Sequence, residues 1–320
     1  MKLYEEGKLG LNKYSGDYLP WVRGTDKDSL LIENILLHQA GLKAWIPFYK
    51  ETIDTISGIP HKGYYSRKKK NNYSIPVANK MYMLTAWRDT MYKRMLQSPL
   101  SPTGNYIYSD NDFIFLGKIV EAITGIPLNE YVQKNFYDRL GVKTTGFKPK
   151  EKFSIKKIAP TEKEIYFRLQ LLQGDVHDPG AAMFGGVAGH AGLFSNASDL
   201  ALLWQMILNG GTINGIQFLK PETIKLFTAY HSNISRRGYG FDKPEKDNAT
   251  RPDPYPCRLA SPETYGHTGY TGIGVWIDPK YNLIYIFLSN RVNPDGGTNT
   301  LLTTLNIRGK IQDVIYEAMQ

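Results

Sequence analysis

Two stretches of the chain carry side chains able to hold or move protons. The first is Tyr106-Ile107-Tyr108-Ser109-Asp110-Asn111-Asp112, where phenols and carboxylates stand at the entry to a helix-like run, Phe113 to Thr124. The second is Tyr265-Gly266-His267-Thr268-Gly269-Tyr270-Thr271-Gly272, where an imidazole that titrates near neutrality lies among glycines. Two short β-branched or aromatic runs follow it, 273–277 (Ile-Gly-Val-Trp-Ile) and 283–288 (Leu-Ile-Tyr-Ile-Phe-Leu), joined by the turn-forming Asp278-Pro279-Lys280-Tyr281-Asn282. This pattern predicts adjacent antiparallel strands. The glycines before them let another group approach the first strand closely, so the pattern predicts a sheet edge lining a cleft.

Other chemistry-bearing residues fit less well. His177, Asp178 and His190 flank a glycine-dense segment without tight helical ligand spacing, so packing of an irregular loop, not a metal site, is expected there. Cys257 is the single cysteine, which leaves no intramolecular disulfide and no cysteine-based metal site. No phosphate-binding or dinucleotide glycine motif follows a strand, and no cofactor is expected.

The elements that position these residues are read from periodicity and caps. A short helix over Leu30 to Leu37 is expected behind Asp28-Ser29, and helices over Thr85–Gln97, Asp112–Thr124 and Asn129–Leu140. Trp87, Met91 and Met95 then form a core-facing stripe. The segment 176–192 is expected to be loop, with Lys68-Lys69-Lys70-Asn71-Asn72 an exposed loop upstream. Ser198 is expected to cap a helix through Leu208, and Pro221 to open another to about Ala229. Gly238 to Phe241 begins the return to the sheet, on which an amphipathic helix over Thr303–Met319 lies. At the front, Met1, Leu3 and Tyr4 before Glu5-Glu6-Gly7 look like the last turns of a helix stopped by glycine. Six residues are too few to nucleate one alone, so the beginning of that element is expected to be missing.

At 320 residues and 42% hydrophobic, the chain can bury a substantial core. Its formal charge of +9 is spread along the sequence and not gathered on one helix, which argues against nucleic-acid binding. No apolar stretch is long enough to span a membrane, and no apolar core follows Lys2 as a secretion signal requires.

His267-Thr268-Gly269 entering a strand resembles the third motif of the serine β-lactamase and penicillin-binding-protein superfamily, usually Lys-Thr-Gly and often His-Thr-Gly in its esterase-like members. Tyr108-Ser109-Asp110 resembles the second motif, Tyr-x-Asn, with Asp110 in place of the Asn. Leu36-Leu37-His38-Gln39-Ala40-Gly41-Leu42 and the segment from Gly185 to Asp199 match further family wording, so the resemblance spans essentially the whole chain. It implies an α+β, transpeptidase-like fold: an antiparallel sheet flanked by helices plus a helical lobe, lacking the N-terminal strands and most of the nucleophile helix. In one truncated domain, residues 1–41 would be the remnant of the N-terminal part, 42–230 the mainly helical lobe, and 231–320 the sheet and C-terminal helix.

The same resemblance implies a mechanism. A serine of a Ser-x-x-Lys motif attacks an acyl carbon, its lysine helps take the proton, and Tyr108 shares that proton traffic. His267 stands where a lysine holds a substrate carboxylate or tunes the tyrosine. Thr268 and Gly269 complete the motif, and the Tyr270 amide would be one oxyanion-hole donor. Asp110 loses the amide donor of Asn and adds a carboxylate able to pair with the missing lysine. Ser66-Arg67-Lys68-Lys69 and Ser154-Ile155-Lys156-Lys157 match Ser-x-x-Lys by letter, but neither begins an apolar helix. The nucleophile serine and its lysine are therefore expected to be absent, about a dozen residues before Met1.

Two functions follow. One is the C-terminal portion of a serine hydrolase of esters, amides or cell-wall peptides; the other is a non-catalytic remnant or binding module that keeps the cleft. The chain also looks similar to the C-terminal module of bacterial proteins whose front half is a glycoside hydrolase of β-N-acetylglucosaminides. Its expected partners are thus a small or peptidoglycan-derived substrate, a missing N-terminal segment, or that glycoside hydrolase module. A full-length parent would be periplasmic or in the cell envelope.

Overall fold

The computed structural model describes residues 1–319, and its C-terminal part forms a three-stranded antiparallel sheet. The strands are Tyr265–Thr268, Gly274–Asp278 and Leu283–Phe287, with Gly274–Asp278 in the middle. Leu283 pairs with Asp278 and Ile286 with Val275, as the expected hairpin requires. Its turn is set by the Asp278 carboxylate accepting from Lys280 N–H, by Pro279, and by Asn282 in the left-handed region at φ 50°. On the other side His267 lies opposite Val275 and Thr268 opposite Gly274. Leu283–Phe287 pairs on its outer side with no other strand among the described residues.

Period-two alternation gives the sheet two covered faces. Val275 and Ile277 pack with Met206 and Ile207 of the helix Ala197–Leu208. On the opposite face the Tyr285 hydroxyl donates to Arg308 O at 3.0 Å and the Tyr316 hydroxyl to Asp278 Oδ2 at 2.6 Å, which fixes the helix Ile307–Ala318 there. The single helix expected over Thr303–Met319 is two, Leu301–Thr304 and Ile307–Ala318. Asn306, at φ 47°, breaks it, because Asn tolerates the left-handed region that ends a helix.

The larger apolar cluster lies in the rest of the chain. The helix Asp110–Thr124 buries Ile114, Phe115 and Ile119 and stops at Gly125, whose φ of 72° suits glycine. Against it pack Ile32, Ile35, Ala182 and the expected stripe Met91 and Met95 of the helix Trp87–Gln97, with Trp87 half-buried beside them. The opening turn Lys2–Glu5 is followed by Gly7 at φ 65°, and Pro221 begins Pro221–Thr228, both as read.

Several expectations are corrected. The segment 176–192 contains a helical turn, Pro179–Met183, because the Asp178 carboxylate accepts from Ala181 N–H at 2.6 Å and Pro179 presets the first residue. Asn196, not Ser198, caps Ala197–Leu208, accepting from Asp199 N–H at 2.8 Å. Asp28-Ser29 do not cap Ile32–Leu36; the Asp28 carboxylate instead takes Gly24 N–H at 3.0 Å. Lys68 to Asn72 are exposed as expected, but they link strands not anticipated there. Tyr65–Ser66, Ile75–Ala78 and Met81–Met83 form a small sheet whose buried Ile75, Val77 and Met83 join the main cluster. The expected helix Asn129–Leu140 runs as Leu128–Val132, a wider turn Gln133–Tyr137 and Asp138–Leu140. The return near Gly238–Phe241 is a single bridge one residue later, Asp242 to Gly266. Among the described residues no helix is long and apolar enough to cross a membrane.

Candidate active site

Tyr108 is held by a lacing of two loops. Ser101, Gly104 and Ile107 donate their amides to Gly41, Gln39 and His38 carbonyls at 2.8, 3.0 and 2.9 Å. The segment before the helix therefore runs alongside 38–41. A Cβ on Gly41 would lie 2.2 Å from Ser101 O, so this approach requires glycine. The Asp110 amide then takes Ala44 O at 2.9 Å, and Ser109 Oγ and Asn111 Nδ2 donate to Lys43 O at 2.8 and 2.6 Å. These bonds bring the half-exposed Tyr108 ring 4.5 Å from the His38 ring and 5.9 Å from the His267 ring, centroid to centroid. The two motifs read from the sequence thus meet.

His38 and Asp112 form a buried pair, Nδ1 to Oδ2 at 2.7 Å. The Ser109 amide also donates to His38 Nδ1, at 3.2 Å, which makes that nitrogen an acceptor and puts the shared proton on Asp112. Burial drives the same outcome. It raises Asp112 well above the carboxylate range and lowers His38 to about 3, with Arg237 and His267 nearby adding to the His38 shift. Both shifts favour the uncharged form of each partner.

His267 has one tautomer that satisfies its neighbours. Nδ1–H donates to Thr268 O at 2.7 Å, leaving Nε2 to accept from Arg237 Nη1 at 3.2 Å. Burial lowers its pKa, partly opposed by Asp242, and Arg237 lowers it further. Arg237 is fully buried and also donates from Nη1 to Asp242 Oδ1 at 2.7 Å. The Tyr255 hydroxyl donates to Asp242 Oδ2 at 2.8 Å, so the carboxylate under His267 is itself fixed.

Desolvation pushes the Tyr108 phenol up to about 12, with Asp110 adding to the rise. Asp110 in turn is raised to about 6, chiefly by burial and further by Asp178, against the pull of His190. Beyond His267, Thr268 ends its strand and Gly269 closes a turn through its amide to Ile273 O at 2.9 Å. Gly272 N–H closes the turn again on Gly269 O at 3.0 Å, and neither bond uses the Tyr270 amide. Tyr270 is exposed, its ring 5.2 Å from His177 and under the Arg291 guanidinium.

Sequence reading missed Arg237, Asp242 and Asp112 as members of the site, and quoted His38 only as part of a motif. Nothing in periodicity singles out Arg237. Asp178 and His190 were set aside, yet the structure places them beside Asp110. A surface cavity of about 330 Å³ lined by Lys43, Lys50, Glu51 and Arg94 includes neither Tyr108 nor His267.

Comparisons with known proteins bear on the family and the fold. The β-lactamase family model matches residues 1–305. A protein of Salmonella paratyphi A described as "Putative D-alanyl-D-alanine carboxypeptidase" is 34% identical over the whole of this chain, which covers 74% of that protein. An Escherichia coli K12 protein with the same description is 35% identical over 91% of this chain and 65% of its own length. The crystal structure of a penicillin-binding protein from Bacillus halodurans superposes with a TM-score of 0.61 at 17% identity, covering 98% of this chain and 81% of that one. With the mixed helix-and-sheet fold and the family match in agreement, the chain belongs to the β-lactamase family of β-lactamase-fold hydrolases.

Proposed function

We propose that the chain forms the Tyr-x-Asp and His-Thr-Gly side of an acyl-transfer site that hydrolyses an amide or ester, with a D-alanyl-terminated peptide as the first substrate to test. The apposition of Tyr108 and His267, 5.9 Å between ring centroids, carries this reading, because it joins the family's second and third motifs in one place. The resemblance of the longer relatives to D-alanyl-D-alanine carboxypeptidases supports the choice of substrate. A phenol raised to about 12 is a poor base alone and needs a cation beside it, the role of the lysine in Ser-x-x-Lys.

The nucleophile is proposed to come from polypeptide outside these 320 residues. Ser66 lies on a short strand with its hydroxyl turned to Lys68 O at 2.7 Å. Ser154 precedes the exposed turn Ile155–Lys157. Ser109 is buried and donates to Lys43 O. None of these three hydroxyls is hydrogen-bonded to Tyr108 or His267. The same observation favours a second reading, a ligand-binding module without turnover.

Intact-mass analysis after exposure to a fluorophosphonate and to a penicillin tests the assignment. No adduct is expected on the 320-residue chain. A stoichiometric adduct is expected once it is co-expressed with a family segment bearing Ser-x-x-Lys, and Tyr108→Phe should abolish it. An adduct on the chain alone would place the nucleophile within it. Binding of a D-alanyl-D-alanine peptide without adduct in either form would select the binding module.

A further inference from the structure

Asp110, Asp178 and His190 come from three different elements and converge on one point. Asp110 opens the helix Asp110–Thr124, Asp178 caps the turn Pro179–Met183, and His190 follows on the glycine loop. One ligand atom from each lies within 4.8 Å of the other two. The approach is built into the backbone: a Cβ on Gly189 would stand 2.0 Å from Phe113 O and 3.2 Å from Gly117 N. Only a residue without a side chain lets the loop sit on this helix and set His190 beside its first turn.

The cluster is only partly explained by its internal contacts. Asp178 Oδ1 accepts from Ala181 N–H at 2.6 Å and pairs with His190 Nε2 at 2.8 Å. His190 is 95% buried by its side-chain exposure of 5%, and its Nδ1 has no partner among the described residues. Asp110 is half-buried beside a second carboxylate, and among the described residues no hydrogen bond reaches its side chain; His190 and Asp178 are the charges that act on it. Two carboxylates and one imidazole facing each other are what a cation would neutralise.

We propose that Asp110, Asp178 and His190 form a binding site for a divalent first-row transition metal, with Zn²⁺ as the probe. Two oxygens and one imidazole nitrogen suit such ions, and three protein ligands leave a further coordination position open. In a tetrahedral site with bonds of about 2.0–2.2 Å, ligand atoms stand roughly 3.3–3.6 Å apart. All three ligand atoms lie within 4.8 Å of one another, and the Asp178 Oδ1–His190 Nε2 contact of 2.8 Å would have to open around the ion. Asp110 stands two residues from Tyr108, so the ion would sit at the edge of the acyl-transfer site. The inference is independent of the nucleophile, because binding needs no turnover.

Isothermal titration of the chelator-treated chain with Zn²⁺ and, separately, Mn²⁺ tests it. One equivalent of Zn²⁺ is expected to bind, with a rise in melting temperature. Asp110→Asn and His190→Gln should each weaken binding at least tenfold, with circular dichroism in chelator unchanged. His61→Ala, on an exposed loop, should leave binding intact. Absence of saturable binding, or affinity indifferent to Asp110→Asn, would overturn the site. If His190→Gln fails to fold, Asp110→Asn decides alone.

Discussion

Arg237 and His267 are joined by a 3.2 Å hydrogen bond from guanidinium Nη1 to imidazole Nε2, so the histidine of the His-Thr-Gly motif is held as a neutral acceptor. Its proton sits on Nδ1, against Thr268 O. Protonating Nε2 would break the bond and place two cations together. In ¹⁵N NMR, the midpoint of His267 protonation should lie below that of a free imidazole. In Arg237→Gln its pKa should rise, since a cation is removed while Asp242 stays. An unchanged His267 titration in that variant would refute the arrangement.

Asp112 is read as a protonated donor to His38, so an amide should replace it well. Asp112→Asn is expected to change stability at pH 7 by less than about 1 kcal/mol, while Asp112→Ala, which removes the buried hydrogen bond to His38 Nδ1, should cost about 1–3 kcal/mol. Urea denaturation of both variants compares them. Equal large losses would mean that Asp112 is ionised in the folded protein.

Lys243 is buried, with Nζ donating to Thr264 O at 3.0 Å, and burial lowers its pKa to about 8 against the pull of Asp278 and Glu263. The unfolded chain holds that proton up to the ordinary lysine value. Between about pH 8 and that value the unfolded state therefore binds more protons, and folding stability should rise with pH. The full effect is on the order of 3 kcal/mol. Lys243→Met should be more stable than wild type at pH 7 and lack that component of the rise, as denaturation at pH 7.5 and 9.5 would reveal.

Gly189→Ala should destabilise by about 1–3 kcal/mol or more, because its methyl meets Phe113 O at 2.0 Å and backbone must move. Asn196→Ala should cost about 1 kcal/mol through loss of the helix cap. Ser198→Ala should cost less, since the bond to Asp199 N–H is made by Asn196. Melting temperatures rank the three.

The hairpin 273–288 was legible because its apolar runs and Asp-Pro-Lys-Tyr-Asn turn are local signals. Tyr108 and His267 were legible as motif residues at the ends of predicted elements. Arg237 was not, because its role depends on being buried between Asp242 and His267, a relation that arises only when distant segments pack. Asp110 was seen at the second motif, but Asp178 and His190 are brought to it by the steric fit of Gly189 on Phe113, which no spacing reveals. Glycine density hid the turn Pro179–Met183, where a carboxylate cap and a proline outweighed poor intrinsic propensity. Asn196-x-x-Asp199 is the capping pair, two residues before the expected Ser198.

The outward side of Leu283–Phe287 has a consequence for handling the protein. Leu-Ile-Tyr-Ile-Phe-Leu carries no charge and no proline, and one row of its backbone donors and acceptors meets no neighbouring strand among the described residues. Such a segment templates lateral growth from molecule to molecule. Solubility should therefore fall steeply with concentration, and a lysine at the exposed Leu288, just past the strand's end, should extend shelf life with little change in melting temperature.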